Sequence, residues 1–430
     1  MIHKYRRIVI LGGGSYLWTP DHVGKMACSS SLDQVEVVLY DIDAPRAAQV
    51  AALCNDLVAR AYSHAGLQVR AVETLEEALP GAEAVFATYC NLGKQVEERL
   101  NAFAQRYGSH QACFTAGPGA LLFVAIQAPT MIDLVRAMQR HCPNAWLINC
   151  SNPLPAMGMV AVHAGADPRR VLGFCGALSW TREVLARFLA VAPERLHFRI
   201  GGTNHCTFLT EVLLDGEDAY PLIHDRARTL GYLDLGCWGR TTTEIKLLEA
   251  TGYLCPGGHP SDIFPTVHGT WTPPGPDAPP RPVHFGDDFR AALEAYARGE
   301  ETAWTPPQTR EVPISWLDAL AGDTSEAHFS INLMNGGAVP NLPPWAVLDL
   351  ECHLDPRGVA PLAGPPLPAL LAEVIHRHQV TFDLTARAAV ARDHTLLRQA
   401  VQLDPFNNYL ETADQLLNDA RAEFGEAWIF

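Results

Sequence analysis

Near its N-terminus the chain has a short apolar run that leads directly into three glycines. This feature limits the possible folds more than any other. The run is Ile8 to Leu11, followed by Gly12, Gly13 and Gly14. A buried strand that enters a tight glycine turn and then a helix is typical of the first unit of a doubly wound sheet. Such glycines let the backbone approach a pyrophosphate, whose charge the helix N-terminus favours.

The same alternation continues through the first 150 residues. Apolar runs at Val35–Tyr40, Ala84–Tyr89 and Ala145–Asn149 are separated by segments with helical spacing, among them Ala47–Tyr62 and Thr130–Met138. Short β-rich runs that alternate with helices predict a parallel sheet with crossover helices. We therefore expect an α/β protein with a Rossmann-type, doubly wound N-terminal domain.

Asp41 strengthens the prediction of a dinucleotide site. It ends the second predicted strand, where a carboxylate accepts hydrogen bonds from ribose hydroxyls and repels a 2′-phosphate. The sequence therefore favours NAD over NADP, with Gly12, Gly14, Ser15 and Asp41 as cofactor-binding residues. The third glycine of the usual motif is absent, because Leu17 holds its place. The alternative is a glycine turn in an α/β fold that binds no cofactor.

Polar side chains follow the fourth predicted strand. Asn149 ends that strand and Asn152 precedes Pro153, at the edge of the sheet where doubly wound folds bind ligands. Amide groups both donate and accept hydrogen bonds, so these two residues suit the nicotinamide and sugar hydroxyls. A simple Asn-Pro turn explains the same residues equally well.

Cys175 and His205 form a further candidate pair. A thiolate and an imidazole are suitable ligands for a divalent transition metal. Two protein ligands make an incomplete site, so substrate oxygens would have to complete the coordination shell. Composition alone favours the alternative of two buried residues that bind no metal.

The second part of the chain has a different pattern. Residues 255–281 and 361–368 are rich in proline, and Ser330–Pro344 is rich in Asn, Gly and Pro, so all three segments are predicted as loops. From Ala369 onward the apolar spacing is helical. We expect the Rossmann-type domain over residues 1–170, an α+β substrate domain over residues 171–430, and the active site in the cleft between them.

Composition excludes several classes of protein. The 430 residues are 48% hydrophobic and 18% charged, which indicates a folded chain. With 32 Lys and Arg against 47 Asp and Glu, the net charge of -15 disfavours nucleic acid and anionic membranes as partners. No apolar stretch reaches the length of about 18 residues that a membrane span needs. Eleven cysteines without framework spacing indicate reduced thiols and a cytoplasmic protein.

Taken together, these stretches resemble the NAD-dependent family 4 glycoside hydrolases over nearly the whole chain. The matching segments occur in the order that the family shows. They are the glycine turn at Gly12, Asp41, Thr115–Gly119, Asn149–Pro153, Cys175, Asn204–His205, Asn332–Pro344 and Leu403–Phe406.

The resemblance implies a glycosidase that acts on a small glycoside by oxidation at C3, elimination, water addition and re-reduction. NAD takes and returns the hydride. A divalent metal, commonly Mn²⁺, is held by Cys175 and His205 and polarises the C3 ketone, while Asn152 and Asn204 bind sugar hydroxyls. The resemblance also implies a homodimer or homotetramer.

Two positions depart from the family pattern. Gly176 follows the metal cysteine, where many members carry His, Asp or Asn. Ile263 stands where the family's tyrosine base is expected, so we predict His259 or Asp262 as the catalytic base, with Tyr253 as a nearby substitute. These departures leave open a sugar oxidoreductase on the same scaffold, or a non-catalytic NAD-binding protein. The identity of the sugar and its anomer cannot be read from the sequence.

Overall fold

The structure is a computed structural model of the whole chain. The residues it describes are 3–93, 95–107, 115–176, 181–235, 240–256, 295, 298, 300, 313–324, 328–405 and 410–430.

Strands occur between residues 7 and 361 of the described ranges. They are β1 (Arg7–Leu11), β2 (Glu36–Tyr40), β3 (Gln68–Val72), β4 (Ala84–Ala87), β5 (Trp146–Asn149), β6 (Val171–Gly173), β7 (Leu196–Thr203), β8 (Cys206–Leu214), β9 (Glu217–Asp218), β10 (Leu233–Asp234), β11 (Arg240–Thr241), β12 (His328–Met334), β13 (Val347–Asp355) and β14 (Gly358–Pro361).

Helices alternate with the early strands and dominate the C-terminal part. They are α1 (Trp18–Met26), α2 (Ala44–Ala61), α3 (Leu75–Ala78), α4 (Gln95–Gln105), α5 (Gly117–His141), α6 (Leu154–His163), α7 (Thr181–Leu189), α8 (Tyr220–Leu230), α9 (Thr243–Thr251), α10 (Ile314–Ala321), α11 (Ala369–Ala391), α12 (His394–Leu403) and α13 (Leu410–Phe424).

The first six strands form the parallel half of one large sheet. Their order is β3-β2-β1-β4-β5-β6, and each neighbouring pair runs parallel. This is the strand order of doubly wound dinucleotide-binding domains. β1 and β4 lie at its centre and are almost wholly buried, which explains their unbroken apolar sequences. The predicted Rossmann-type fold is confirmed.

The sheet then continues as an antiparallel half of β12, β13, β7, β8 and β9, with β14 paired to β13. Asn332 of β12 pairs with Gly173 of β6, and this pair joins the two halves. The predicted boundary after residue 170 therefore falls immediately before β6, within one continuous sheet that has twelve strands among the described residues. The division into domains at 1–170 and 171–430 stays a prediction.

The main apolar core extends across both halves of the sheet. α5 is long and apolar enough to cross a membrane, but 83% of its most apolar stretch is buried inside the protein. The helix packs there against α6 and α11. α11 begins at Ala369, as the helical spacing predicts. α11 thus packs against two helices of the N-terminal half. A second apolar cluster is formed by α7, α8, α9 and the strands beside them.

Two elements differ from the sequence predictions. Ser330–Met334 belongs to β12, so the prediction of a loop over Ser330–Pro344 is wrong for its first five residues. The strand accommodates the buried Asn332 because Asp349 accepts a hydrogen bond from it. β3 was not predicted, because it is an edge strand in which buried and exposed residues alternate. The predicted loop over residues 255–281 lies almost entirely outside the described residues.

Candidate active site

The glycine turn after β1 contacts the end of β4 and the residue that follows β2. Gly12 has a φ of +83°, and a Cβ atom there would lie 2.9 Å from the carbonyl group of Thr88. Only glycine satisfies both constraints. The backbone N–H of Gly14 donates to Asp41 Oδ2 over 2.9 Å. The glycine turn and Asp41, which follows β2, are therefore in direct contact.

The Asp41 carboxylate is held in a fixed orientation beside this turn. Its Oδ1 accepts a hydrogen bond of 3.0 Å from the backbone of Asp43, and Arg46 Nη2 lies 3.8 Å away. Ser15 Oγ accepts the backbone N–H of Trp18 over 3.1 Å and so helps to begin α1. The predicted cofactor residues of the turn thus lie together, and their contact with a cofactor stays a prediction.

The segment after β5 is a tight turn built by Asn149. This side chain is fully buried: Oδ1 accepts the backbone N–H of Ser151 over 3.0 Å, and Nδ2 donates to the Ser151 carbonyl over 3.2 Å. Ser151 Oγ donates to the Tyr89 carbonyl over 2.9 Å, which ties the turn to the end of β4. Asn152 precedes a cis bond to Pro153 and is half-buried. Contact of Asn149 with the cofactor and of Asn152 with substrate stays predicted.

Cys175 and His205 meet although 30 positions separate them. Cys175 lies two residues after β6, His205 lies in the turn between β7 and β8, and Cys175 Sγ is 3.4 Å from His205 Nε2. Burial lowers the pKa of His205 to about 4, so its imidazole is neutral at pH 7 and has a lone pair to donate. Among the described residues, no group of three or more His, Cys, Asp or Glu side chains forms a metal site.

The turn that carries His205 is strained. His205 has a φ of +65°, a conformation that costs a non-glycine residue about 1 kcal/mol or more. Its neighbour Asn204 is only 1% exposed, and neither atom of its amide has a hydrogen-bond partner among the described residues. Strain and an unsatisfied buried amide at one turn are typical of a binding site. Asn204 is the chain neighbour of His205, and its contact with substrate stays a prediction.

A buried carboxylate near this turn was not predicted from the sequence. Asp349 is fully buried in β13, and it accepts hydrogen bonds from Asn332 Nδ2 over 2.8 Å and from Thr207 Oγ1. Burial raises the pKa of Asp349 to about 6, although both hydrogen bonds act in the opposite direction. The available signal was a single acidic residue inside the apolar run from Val347 to Leu350.

A second buried carboxylate lies at the start of α9. Glu244 is 2% exposed and accepts a hydrogen bond of 2.6 Å from Thr241 Oγ1. Burial raises the pKa of Glu244 to about 7. This residue sits near Cys255, whose thiol pKa burial raises far above its ordinary value.

The predicted bases His259 and Asp262 lie outside the described residues, as does Ile263. Tyr253, their suggested substitute, is half-buried, and its ring lies edge-on to Tyr220 with the centroids 5.9 Å apart. The structure therefore leaves the choice of base as a prediction.

Two family patterns match the chain. The model of the Family 4 glycosyl hydrolase matches residues 7–191. The model of the Family 4 glycosyl hydrolase C-terminal domain matches residues 285–406. The chain belongs to glycosyl hydrolase family 4. The resemblance drawn from the motifs is thereby confirmed, and this family 4 protein is a glycoside hydrolase.

Relatives of this family 4 hydrolase differ in the sugars that they cleave. It is 25% identical to an alpha-galactosidase of Bacillus subtilis, over 93% of both chains. It is also 25% identical to an alpha-galacturonidase of Thermoanaerobacterium saccharolyticum, over 93% of this chain and 91% of that one. A solved 6-phospho-alpha-glucosidase from gut microorganisms, in complex with NAD and Mn²⁺, superposes with a TM-score of 0.81 at 20% identity, over 99% of each chain. This structural likeness confirms the fold.

Proposed function

We propose that this hydrolase cleaves a small glycoside with NAD bound at the Gly12–Gly14 turn and a divalent metal, Mn²⁺, bound by Cys175 and His205. The observation that carries the proposal is the 3.4 Å separation of Cys175 Sγ and His205 Nε2. In zinc sites, bonds of about 2.3 Å to sulfur and about 2.1 Å to nitrogen are typical, so two donor atoms this close together could hold one divalent transition metal. The solved relative that contains NAD and Mn²⁺ supports the same choice of cofactors.

The donor atoms of the pair suit a transition metal. The imidazole of His205 is neutral at pH 7, and a bound cation favours the thiolate of Cys175. Two protein ligands leave coordination positions for substrate oxygens, and Asn204 offers an unsatisfied amide beside them. When bound, NAD would accept and return a hydride, and the metal would polarise the carbonyl of the oxidised sugar.

The protein's own residues would bind and orient the reactants. Asp41 is fixed by Gly14 and Asp43, and its remaining lone pairs can accept hydrogen bonds from the ribose hydroxyls. Asn204 would bind a sugar hydroxyl, since its amide can both donate and accept, and Asn152 would bind another. His259 or Asp262 would remove the proton at C2 of the sugar, since a histidine acts as a base near neutral pH.

A panel of α- and β-nitrophenyl glycosides tests the proposal. Nitrophenol and NADH absorbance are followed together, with and without NAD, Mn²⁺ and a thiol reductant. We expect nitrophenol release that requires both cofactors and leaves no NADH, because the hydride returns in each turnover. NADH without nitrophenol would instead identify a sugar oxidoreductase.

Exchange of the C2 proton with solvent deuterium tests the base. His259→Ala or Asp262→Asn should abolish exchange if the altered residue is the base. Full exchange in both variants would refute this assignment.

The proposal extends to the setting of the enzyme. No convincing basic cluster accompanies the predicted site in the sequence, so we propose an unphosphorylated glycoside as substrate. We also propose that the enzyme is cytoplasmic, because its eleven cysteines lack the spacing of a disulfide framework. We also propose a homodimer or homotetramer, which light scattering on the purified protein measures directly.

A further inference from the structure

A row of directly opposed residues crosses five strands between the two halves of the candidate metal site. The row runs from β6 to β8 through Gly173, Asn332, Asp349, Gly202 and Thr207. One end of the row lies two positions before Cys175, and the other lies two positions after His205. The row therefore links the backbone segments that carry the two proposed metal ligands.

Asp349 stands at the centre of this row and accepts a hydrogen bond from a side chain on each side of it. Its Oδ1 accepts the hydrogen bond from Asn332 Nδ2, and its Oδ2 accepts the one from Thr207 Oγ1. Gly202 lies opposite both Asp349 and Thr207, and it has no side chain. The carboxylate can therefore reach across β7 to the hydroxyl on β8.

The other arm of the row rests on a second glycine. A Cβ atom at Gly173 would lie 3.0 Å from Asn332 Oδ1, closer than ordinary packing allows. The Asn332 side chain thus lies directly against the strand that leads to Cys175. Because Asp349 accepts the hydrogen bond from this amide, a single carboxylate fixes the side chains that pack beside both ligand-bearing segments.

The strained turn is also held on its other flank. Gln379 Nε2 of α11 donates to Thr203 Oγ1 over 3.0 Å, and Gln379 Oε1 accepts the backbone N–H of Val347 over 2.8 Å. Thr207 Oγ1 lies 3.3 Å from the carbonyl of Thr203, to which it can also donate. Residues on both sides of the turn are therefore tied to β13 or its partners. Such contacts offset the positive φ of His205.

We infer that Asp349 is a positioning residue that holds the His205 turn at the distance from Cys175 that a shared metal ion requires. The inference rests on the proposed function, because it assigns the support for that same metal site. Residues that orient metal ligands from the outer shell typically change metal affinity by about 10- to 100-fold when they are replaced.

Four variants and a direct binding measurement test this role. Asp349→Ala removes both hydrogen bonds, and Thr207→Val removes one. Asp349→Asn keeps both, since its amide can accept from Asn332 and donate to Thr207 Oγ1. Thr385→Val is the matched control, because Thr385 is equally buried but donates within α11, to the Thr381 carbonyl over 2.7 Å.

Each reduced protein is titrated with Mn²⁺ alone, and the free ion is followed by its electron paramagnetic resonance signal. NAD affinity is measured separately by protein fluorescence, and folding by the thermal midpoint. We expect Asp349→Ala and Thr207→Val to weaken Mn²⁺ binding by about tenfold or more. Asp349→Asn and Thr385→Val should stay within about threefold of the wild type, and NAD affinity should be unchanged in all four.

The outcomes separate this inference from the proposed function. Folded Asp349→Ala and Thr207→Val proteins that bind Mn²⁺ as tightly as the wild type overturn the inference alone. The inference is also overturned if Thr385→Val or Asp349→Asn loses as much Mn²⁺ affinity as Asp349→Ala does. If Asp349→Ala does not fold, the inference is tested by comparing the Mn²⁺ affinity of Thr207→Val with that of its control, Thr385→Val. A wild-type protein that binds no Mn²⁺ overturns the proposed metal site, and the inference with it.

Discussion

Replacing Glu244 with glutamine should make the protein more stable at alkaline pH and change its stability by less than about 1 kcal/mol near pH 5. Burial raises the pKa of this carboxyl from its ordinary value of 4.5 to about 7 in the folded protein. The folded state therefore binds a proton more tightly than the unfolded state does. The contribution of Glu244 to the free energy of unfolding is fully present below pH 4.5 and is lost as the pH rises through 7.

The rise from 4.5 to about 7 corresponds to a loss of about 3 kcal/mol once both states are ionised. Most of that loss, about 2 to 3 kcal/mol, falls between pH 5 and pH 8. Glutamine cannot ionise, and its Oε1 can still accept the hydrogen bond from Thr241. Between pH 5 and pH 8, the stability of the Glu244→Gln variant relative to the wild type should thus rise by about 2 to 3 kcal/mol.

Urea unfolding at pH 5 and pH 8 measures the gain. Glu249→Gln is the matched control, because Glu249 lies on the same helix and is exposed. Subtracting the control removes the general effect of one charge fewer. A pH-independent difference between the two variants would show that Glu244 is not protonated in the folded protein, and the reasoning from burial would fail.

Three further substitutions test the site. Cys175→Ser should abolish Mn²⁺ binding and glycoside cleavage while NAD affinity is retained, because a hydroxyl is a poor substitute for a thiolate ligand; calorimetric titration of both ligands checks this. Asp41→Asn should reduce NAD affinity about tenfold and narrow the preference for NAD over NADP, since a charge-assisted acceptor is lost; fluorescence titration with each dinucleotide measures it. Gly202→Ala should destabilise the protein by about 2 kcal/mol or more, because its Cβ atom would lie 2.2 Å from the Cys206 carbonyl oxygen at a φ of +158°; an unchanged thermal midpoint would contradict this.

The elements predicted most accurately are those whose own residue pattern shows how they are buried. β1 and its glycine turn were predicted because a central parallel strand is buried on both faces and reads as a continuous apolar run. β3 has one exposed face, so its sequence, Gln68 to Val72, carries no such signal. The last five residues of β12 were misassigned because Asn332 is polar, and its burial depends on a hydrogen bond to Asp349, on a strand that lies later in the chain.

The candidate site follows the same division. The ligand types at Cys175 and His205 could be read from the sequence, since their chemistry is local. Their 3.4 Å separation could not, because it depends on how distant strands pair. The positive φ of His205 and the buried carboxylate of Asp349 were equally invisible, because both depend on tertiary contacts that no local pattern reports.

The strand order also has a consequence for biosynthesis. β12 and β13 lie between β6 and β7 in the sheet, although they follow both in the chain. A nascent chain therefore exposes both proposed ligands well before the strands that separate their segments have been made. Pairing across such long sequence separations forms slowly. We expect metal loading to follow the synthesis of β13, and a chain truncated before residue 328 to carry both ligands without a metal site.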